Sequence, residues 1–593
     1  MKNRKPESKP VSVATTSATP AAKTSAAPPA GVSVGVWLGA ALALLVAIFW
    51  VYGPTLSTGF LFDDAKQRFA MPAASEPLSS WIGPVRPVLM FTYFLNTRIS
   101  PSDTGSYHVF NLLIHAIAGL LIFLVIRRIL ELADLPRQSQ IPFAVFGAAL
   151  FLLHPLQTES VAYISGRSDA LCGMLAAGSF AVFLYRKTPA ISWGAVIGVV
   201  ALFGASVLTK EQAVVLPALF LLTDLWWNPN SPISAVKANW KLYAVLAVGA
   251  AAGFALFWSL ILGTGTGNSA GFALKDFTWY QYLFTQFRVI VTYVLSFVLP
   301  FNLNADWDFP ISRNILEYGA VFYLVFLLAC AALAVRYRRN FALSGYGFFV
   351  FLILLLPTSS ILPIQDPIAE RRMYLPILGL ILIAIDLLRR LRMEPKAVAA
   401  LAGVVVLFCA FVTHARAEVW SDPVKLWQDT VAKSPNKFRP HFQLAFAYYD
   451  QQQYDHAIAE FEKTAAIKKP TLDMLMDWGL AYDGLNRPDK ALEKFREAAA
   501  MEPSAHAWTQ VAYIYAKQQR WKEALDALDK AEKISADFPA IWMYRGQIAL
   551  ATNQPAVAIQ LFQRALQLDS SQVPAREGMA QAQRMLAAGA ARH

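Results

Sequence analysis

Long apolar runs separated by short polar stretches fill the first 415 residues, and a shorter helical period takes over afterwards. Runs of about 17 to 22 residues match the hydrocarbon thickness of a bilayer. They predict spanning helices near 34–52, 108–126, 141–153 (short), 169–185, 191–208, 212–227, 242–262, 317–335, 343–363, 373–389 and 397–414. Basic clusters test this thread: Arg127-Arg128 with Arg137, Arg186-Lys187, Lys237 to Lys241, Arg336 to Arg339 and Arg389 to Lys396 all fall on one face. By the positive-inside rule that face is cytoplasmic. Segment 284–300 is apolar enough to span, but counting it would move the Arg336 cluster outside. It is therefore read as re-entrant or interfacial, with Gln286 and Arg288 near its start. About eleven spans remain, and an odd number places the C-terminal end on the side opposite the N-terminal tail.

After Arg416 the chain turns polar and repeats. Ala457, Ala491, Ala524 and Ala558 recur at steps of 34, 33 and 34 residues, with Phe461, Phe495, Leu528 and Phe562 four positions later in each unit. Small residues at that period let two antiparallel helices approach, and the large ones fill the space between units; this is the tetratricopeptide pattern. Four repeats are predicted, preceded by a partial one carrying Trp420 and Trp427. Such a solenoid leaves a concave groove suited to a protein segment. The expected organisation is all-α: a tail at 1–33, a polytopic membrane domain at 34–415 and a soluble α-solenoid at 416–593.

Composition agrees with that division. The chain is 56% hydrophobic and 16% charged, with mean hydropathy +0.40, against roughly 25% charged residues in soluble domains. Its net charge of +12 sits in clusters beside apolar runs, which read as membrane-flanking anchors for anionic lipid rather than a nucleic-acid footprint. The first 30 residues are basic and rich in Ala, Ser, Thr and Pro, a composition that favours disorder. The apolar run after them is longer than a signal-peptide core and reads as a retained span. Cys172, Cys330 and Cys409 lie inside apolar segments, so no disulfide framework or cysteine metal site is expected.

Four polar clusters fall on the outer side of the thread. GFLFDDAKQ (59–67) holds Asp63 and Asp64 just beyond the first span. HPLQTESVAYISGRSDAL (154–171) holds His154, Glu159, Arg167 and Asp169; TKEQ holds Lys210 and Glu211; QDPIAERRMYLP holds Asp366, Glu370, Arg371 and Arg372. Charge beside hydrocarbon is expensive, so such clusters ask for a reason. If the loops converge, one carboxylate takes a proton from an incoming hydroxyl while cations stabilise a departing phosphate, which suits displacement of a sugar from a lipid phosphate. The structural readings stand beside this one: a solvated turn at Gly59 to Asp64, interfacial anchors at Arg371 and Arg372, a local Lys210–Glu211 ion pair, and a helix-end histidine at His154.

Other motifs carry less. GTGTGN (263–268) lacks a following Lys-Ser/Thr and reads as a loop rather than a nucleotide cradle. NADWDFP (304–310) spaces Asp306 and Asp308 as a metal contact would, without further calcium-loop ligands, and a loop capped by its own aspartates is the favoured reading.

In this order, GFLFDD, HPLQTESVAYISGRSDAL, TKEQ, NADWDFP, AERRMYLP and the repeat tail resemble the TMTC family of multispanning O-mannosyltransferases, over nearly the whole chain beyond the tail. The resemblance implies a GT-C fold and an inverting transfer from a polyprenyl-phosphate sugar. It implies a catalytic carboxylate in the first outer loop, Asp63 as base with Asp64 as runner-up or support. Arg167, Lys210, Arg371 and Arg372 become candidates for lipid-phosphate or sugar contacts, and His154, Glu159 and Glu370 for shaping the site. The basic Ala/Pro-rich leader and the short repeat array look more like bacterial relatives, so the expected place is a bacterial inner membrane with a periplasmic solenoid, or the endoplasmic reticulum with a lumenal one in a eukaryote.

The expected function is transfer of a sugar from a polyprenyl-linked donor to Ser or Thr of an exported protein held by the solenoid. Sugar identity, oligomeric state and the participation of a divalent metal are left open. The alternatives are a non-catalytic membrane scaffold that recruits envelope or secretory proteins, and a transporter or flippase. The last fits poorly, because the charged groups gather in loops on one face rather than at mid-membrane.

Overall fold

The computed structural model describes residues 34–70, 76–100, 103–186, 190–228, 232–263, 270–272 and 274–590. The expected tail at 1–33 and most of the GTGTGN loop lie outside these. The described residues from Ala47 onward form one compact unit.

Among the described residues sixteen α-helices precede the solenoid: α1 (Val34–Tyr52), α2 (Leu78–Trp81), α3 (Pro87–Ile99), α4 (Thr104–Leu132), α5 (Arg137–Leu153), α6 (Thr158–Ala162), α7 (Arg167–Leu184), α8 (Trp193–Val207), α9 (Leu216–Trp227), α10 (Pro232–Ala238), α11 (Trp240–Gly263), α12 (Trp279–Val298), α13 (Ala320–Arg336), α14 (Ala342–Leu355), α15 (Ile377–Leu388) and α16 (Pro395–Val419). Helices are the economical answer to an apolar solvent, because each satisfies its own backbone polar groups. The core runs along α4, where Ile122, Val125, Ile126 and Ile129 are inaccessible to solvent, between α5 and α7. Helices α14 and α15 meet backbone to backbone, since a Cβ on Gly347 would stand 2.5 Å from the Gly379 carbonyl. Close approach through small residues is how helices gain packing where lipid supplies no hydrophobic drive.

Among the described residues four helical stretches are long and apolar enough to cross a membrane, Thr104–Leu132, Ile164–Leu184, Glu317–Arg336 and Pro395–Val419, or five if the bent pair α5–α6 is one span. The expected count of eleven is not established by that measure. Every predicted span nevertheless has a helix, and several, such as α8 and α15, are short apolar helices of 10–17 residues. Of the two readings of segment 284–300, the re-entrant turn is not seen: α12 is one unbroken 20-residue helix, and it is not among the helices long and apolar enough to cross a membrane. Its buried positions Tyr282, Thr285, Gln286, Val289, Ile290, Tyr293 and Ser296 follow the helical period, so Gln286 faces protein and donates to the Pro367 carbonyl at 2.9 Å.

Basic clusters gather at one end. Arg128 donates to the Leu184 carbonyl, Arg186 pairs with Asp224 at 2.7 Å, Arg338 lies over Trp226, and Arg390 reaches the Asn340 carbonyl. At the other end of α4, His108 bonds the Thr58 carbonyl beside the acidic loop. Twenty residues of helix between His108 and Arg128 rise about 30 Å, one hydrocarbon thickness.

The solenoid begins with α17 (Pro423–Lys433) and continues as four hairpins: α18 (Phe438–Asp450) with α19 (Tyr454–Ile467), α20 (Leu472–Gly484) with α21 (Pro488–Met501), α22 (Ala505–Lys517) with α23 (Trp521–Ile534), and α24 (Pro539–Ala551) with α25 (Pro555–Leu568), closed by α26 (Val573–Ala590). All four period alanines and their large partners are fully buried. The small residue in each first helix is a packing requirement: a Cβ on Gly479 would meet the Phe495 ring at 2.5 Å, and one on Gly546 the Phe562 ring at 2.7 Å. Helix α16 runs unbroken across 415–416, so the change of composition falls in its last turn.

Candidate functional site

The two aspartates face opposite ways. Phe62, just before them, has φ +52°, the left-handed region that costs a non-glycine residue about 1 kcal/mol or more. After this twist Asp64 points inward, 1% exposed, and accepts from the Leu61 N–H (3.2 Å), the Ser165 N–H (3.0 Å) and the Ser165 hydroxyl (2.5 Å). Burial pushes its carboxyl up to about 7 against the pull of those donors. Asp63 points outward and is exposed. Its backbone N–H donates to the Tyr163 hydroxyl at 3.1 Å, and among the described residues no side chain hydrogen-bonds its carboxylate.

Ser165 and Tyr163 belong to the segment that joins α5 to α7, a knot buried at every position from His154 to Ile164. Its backbone is tied down from outside. Asn111 of α4 donates to the Tyr163 carbonyl (3.2 Å), Tyr93 of α3 to the Ile164 carbonyl (3.0 Å), and Gln157 to the Tyr374 carbonyl (3.2 Å). Gly166 closes it, because a Cβ there would stand 2.6 Å from the Glu159 carbonyl.

The knot holds one cation, and the first turn of α7 beside it holds another. Glu159 binds Arg371 through its guanidinium and accepts the Arg371 N–H at 2.9 Å. Asp169 receives Lys210 Nζ at 2.6 Å. Beside that pair, Arg86 forks onto Glu211 with bonds of 3.1 and 2.9 Å, so Lys210 and Glu211 pair with other partners and not with each other. Arg371, its side chain 29% exposed, reaches the surface; Lys210 is nearly buried.

Two expected phosphate contacts are placed elsewhere. Arg167 is fully buried and donates to Asn111 Oδ1 (2.7 Å), Asn96 Oδ1 (2.7 Å) and the carbonyls of Thr92 and Tyr107, with the Tyr93 and Phe110 rings over its guanidinium. It pins α7 to α3 and α4 through four hydrogen bonds. Arg372 likewise spends its donors on the Pro367, Asp366 and Thr358 carbonyls. His154 holds a helix end: its Nδ1 accepts the Leu156 N–H and its Nε2 bonds the Phe297 carbonyl at 3.0 Å. Glu370 is buried, accepts the Asn304 N–H and lies 3.9 Å from Arg416; burial pushes its carboxyl up to about 7. Among the described residues no three His, Cys, Asp or Glu side chains converge as a metal-ligand set. The cysteines are free.

The Asp306 carboxylate of the NADWDFP loop is bonded from the solenoid instead of capping its own loop. Asp306 is forked by Arg439 and bonded by Lys437 Nζ at 2.6 Å, and Arg439 also reaches Asp366 at 2.8 Å. Burial acts to raise the Asp366 carboxyl, but Arg439 and Lys437 outweigh it and hold it below the ordinary range. Ser434 of the solenoid bonds Asn304 and the Asp306 carbonyl, each at 2.8 Å. Apolar contact joins the same surfaces: Leu61, Phe62 and Tyr163 pack with Trp420, Trp427, Leu444 and Ala447. Arg439 and Arg86 were invisible as site residues in the sequence, since their partners lie 73 to 133 positions away; Tyr163 stood inside a recognised motif without a role.

Fold and site together define an all-helical protein with a membrane-type body, whose polar loops and tetratricopeptide solenoid share one face. A tetratricopeptide-repeat family model matches residues 476–539 and 535–573. The curated homologues over most of the chain are TMTC protein O-mannosyl-transferases. Human TMTC3 (Homo sapiens) is 21% identical over 89% of this chain and 64% of that protein, and F38B6.6 of Caenorhabditis elegans is 24% identical over 66% of this chain and 57% of that protein. The chain thus spans under two thirds of the length of these relatives. Among solved structures, a crystal structure of MamA aligns to 30% of this chain at 15% identity and a TM-score of 0.23.

Proposed function

We propose that this protein is a membrane glycosyltransferase that moves a sugar from a polyprenyl-phosphate donor to a Ser or Thr hydroxyl of an exported protein. The observation that carries this reading is the outward Asp63, fixed through Tyr163 to the same buried knot that holds Arg371, with Lys210 held by Asp169 in the following turn of α7. The Asp63 carboxylate takes the acceptor hydroxyl proton as that oxygen bonds the sugar C1, while the C1–O bond to phosphate breaks and the lipid phosphate leaves. Attack opposite the leaving group inverts the anomeric centre. Arg371 receives the developing phosphate charge from a scaffold ordered before the reaction, with Lys210 behind it. Names of the relatives support a protein acceptor and mannose as the first sugar to test.

The active face lies on the non-cytoplasmic side, opposite the basic end of α4, and the solenoid groove presents the acceptor there. Purified full-length protein with polyprenyl-phosphate mannose and a Ser/Thr peptide should transfer sugar. Asp63→Asn should lower kcat/KM by about 10²- to 10⁴-fold with unfolding unchanged. Full transfer by both Asp63→Asn and Asp64→Asn would exclude this site.

A further inference from the structure

The solenoid is expected to act as a holder of acceptor, a role that needs only tethering. Its first elements do more than tether. Phe62, the residue whose left-handed backbone turns Asp63 outward, sits in a cage contributed largely by the solenoid. The Trp427 ring lies 5.3 Å from it, centroid to centroid, the Tyr163 ring 6.1 Å, and the Arg439 guanidinium 5.6 Å from its face. Leu61, one position earlier and 2% exposed, is buried in the same cluster with Trp420, Leu444 and Ala447.

Arg439 ties that cage to the membrane body. One guanidinium covers Phe62, forks onto Asp306 and reaches Asp366, four residues before Glu370. Lys437 reaches the same two carboxylates as a point charge, at 2.6 and 3.6 Å, but only the planar guanidinium forks onto Asp306 while presenting its face to the Phe62 ring. A non-glycine residue persists in the left-handed region only when its surroundings over-determine it, and here α17 and α18 supply part of those surroundings, beside Tyr163 and the Ser165 bonds to Asp64.

We propose that Arg439 and Trp427 are positioning residues for Asp63, so that the base of the solenoid forms one wall of the reaction centre. This rests on the reading of Asp63 as base. It predicts that weakening the clamp slows the chemical step even when no acceptor needs to be captured. Water can replace the acceptor: its oxygen bonds the sugar C1, its proton passes to Asp63, and the C1–O bond to phosphate breaks, releasing free sugar and lipid phosphate.

The test uses full-length protein in phosphatidylglycerol-containing nanodiscs with polyprenyl-phosphate mannose as probe. In Arg439→Gln, amide exchange of a peptide covering 59–67 should rise about tenfold while exchange across α23–α25 stays as in the parent. Donor hydrolysis and acceptor-saturated kcat should fall together by about 30-fold, with acceptor KM within about threefold. Trp427→Ala should behave alike, Trp427→Phe should keep most activity, and Arg439→Lys should recover only part. The proposal is overturned if 59–67 exchange is unchanged, or if hydrolysis stays at the parent level while acceptor KM rises, which is the signature of tethering alone. Asp63→Ala separates the two layers: if it retains turnover, the base reading fails, while the exchange data still decide whether the clamp exists.

Discussion

Replacing Asp64 by Asn should cost stability and spare chemistry, the reverse of the same change at Asp63. Asp64 accepts three bonds, two at one oxygen from Ser165 and one at the other from the Leu61 N–H. The Asn amide oxygen can keep the Ser165 pair, but its NH₂ then faces the Leu61 N–H. An unsatisfied buried donor costs about 1–3 kcal/mol, and a bond to a charged acceptor is worth about as much. Relief of a buried charge offsets part of this, leaving a loss of about 1–2 kcal/mol near pH 8. The pH dependence gives the sharper test. The folded carboxyl is raised to about 7, so the folded state binds a proton more readily than the unfolded chain. That contribution is full below the unfolded value of 3.8 and is lost as pH rises through about 7. The stability gap between parent and Asp64→Asn should therefore widen by about 2 kcal/mol from pH 8 to pH 5. Thermal unfolding of the full chain in detergent, parent and variant at one scan rate across that range, reads it directly. A gap that is flat or narrows toward pH 5, or a variant at least as stable throughout, would refute the reasoning.

Further outcomes follow from the same geometry. Lys210→Met leaves Asp169 charged and buried, so it should cost about 3–5 kcal/mol by thermal unfolding, and adding Asp169→Leu should recover much of that; equal costs for single and double variants would contradict it. A double-mutant cycle on Asp306→Asn and Arg439→Gln should show coupling of about 1–3 kcal/mol; additive losses would mean the junction bonds are not made in solution. Gly479→Ala places a Cβ against Phe495 and should destabilise the solenoid by about 1–3 kcal/mol, read as a lower unfolding midpoint in circular dichroism.

The elements readable in the sequence are those governed by local period. The alanine steps at 457, 491, 524 and 558 located four hairpins because each small residue must admit a neighbouring helix, and the apolar runs located helices because backbone groups in hydrocarbon have no other partner. Where tertiary context decides, the reading failed in specific ways. Arg167 and Arg372 have the composition of phosphate ligands, yet each is surrounded by carbonyl or amide oxygens, those of Arg167 from α3 and α4 and those of Arg372 chiefly from Asp366 and Pro367 of its own loop. The same residue type serves both uses, and only the distribution of acceptors tells them apart. Segment 284–300 was set apart by a topological count, and of its two readings the helix α12, with one face against protein, disfavours only the re-entrant turn. The inward and outward division of Asp63 and Asp64 depends on a left-handed Phe62, a conformation that a Phe does not advertise.

The proposal turns on Asp63, hydrogen-bonded to the knot that also holds Arg371, accepting the proton during sugar transfer. Rate measurement with one donor and two nucleophiles tests it most directly, using polyprenyl-phosphate mannose with a Ser/Thr peptide and then with water alone. The account predicts that Asp63→Asn depresses both rates by about 10²-fold or more at unchanged stability, while Asp64→Asn retains transfer in the fraction that stays folded. Undiminished rates in Asp63→Asn, from protein that unfolds at the parent temperature, would contradict it.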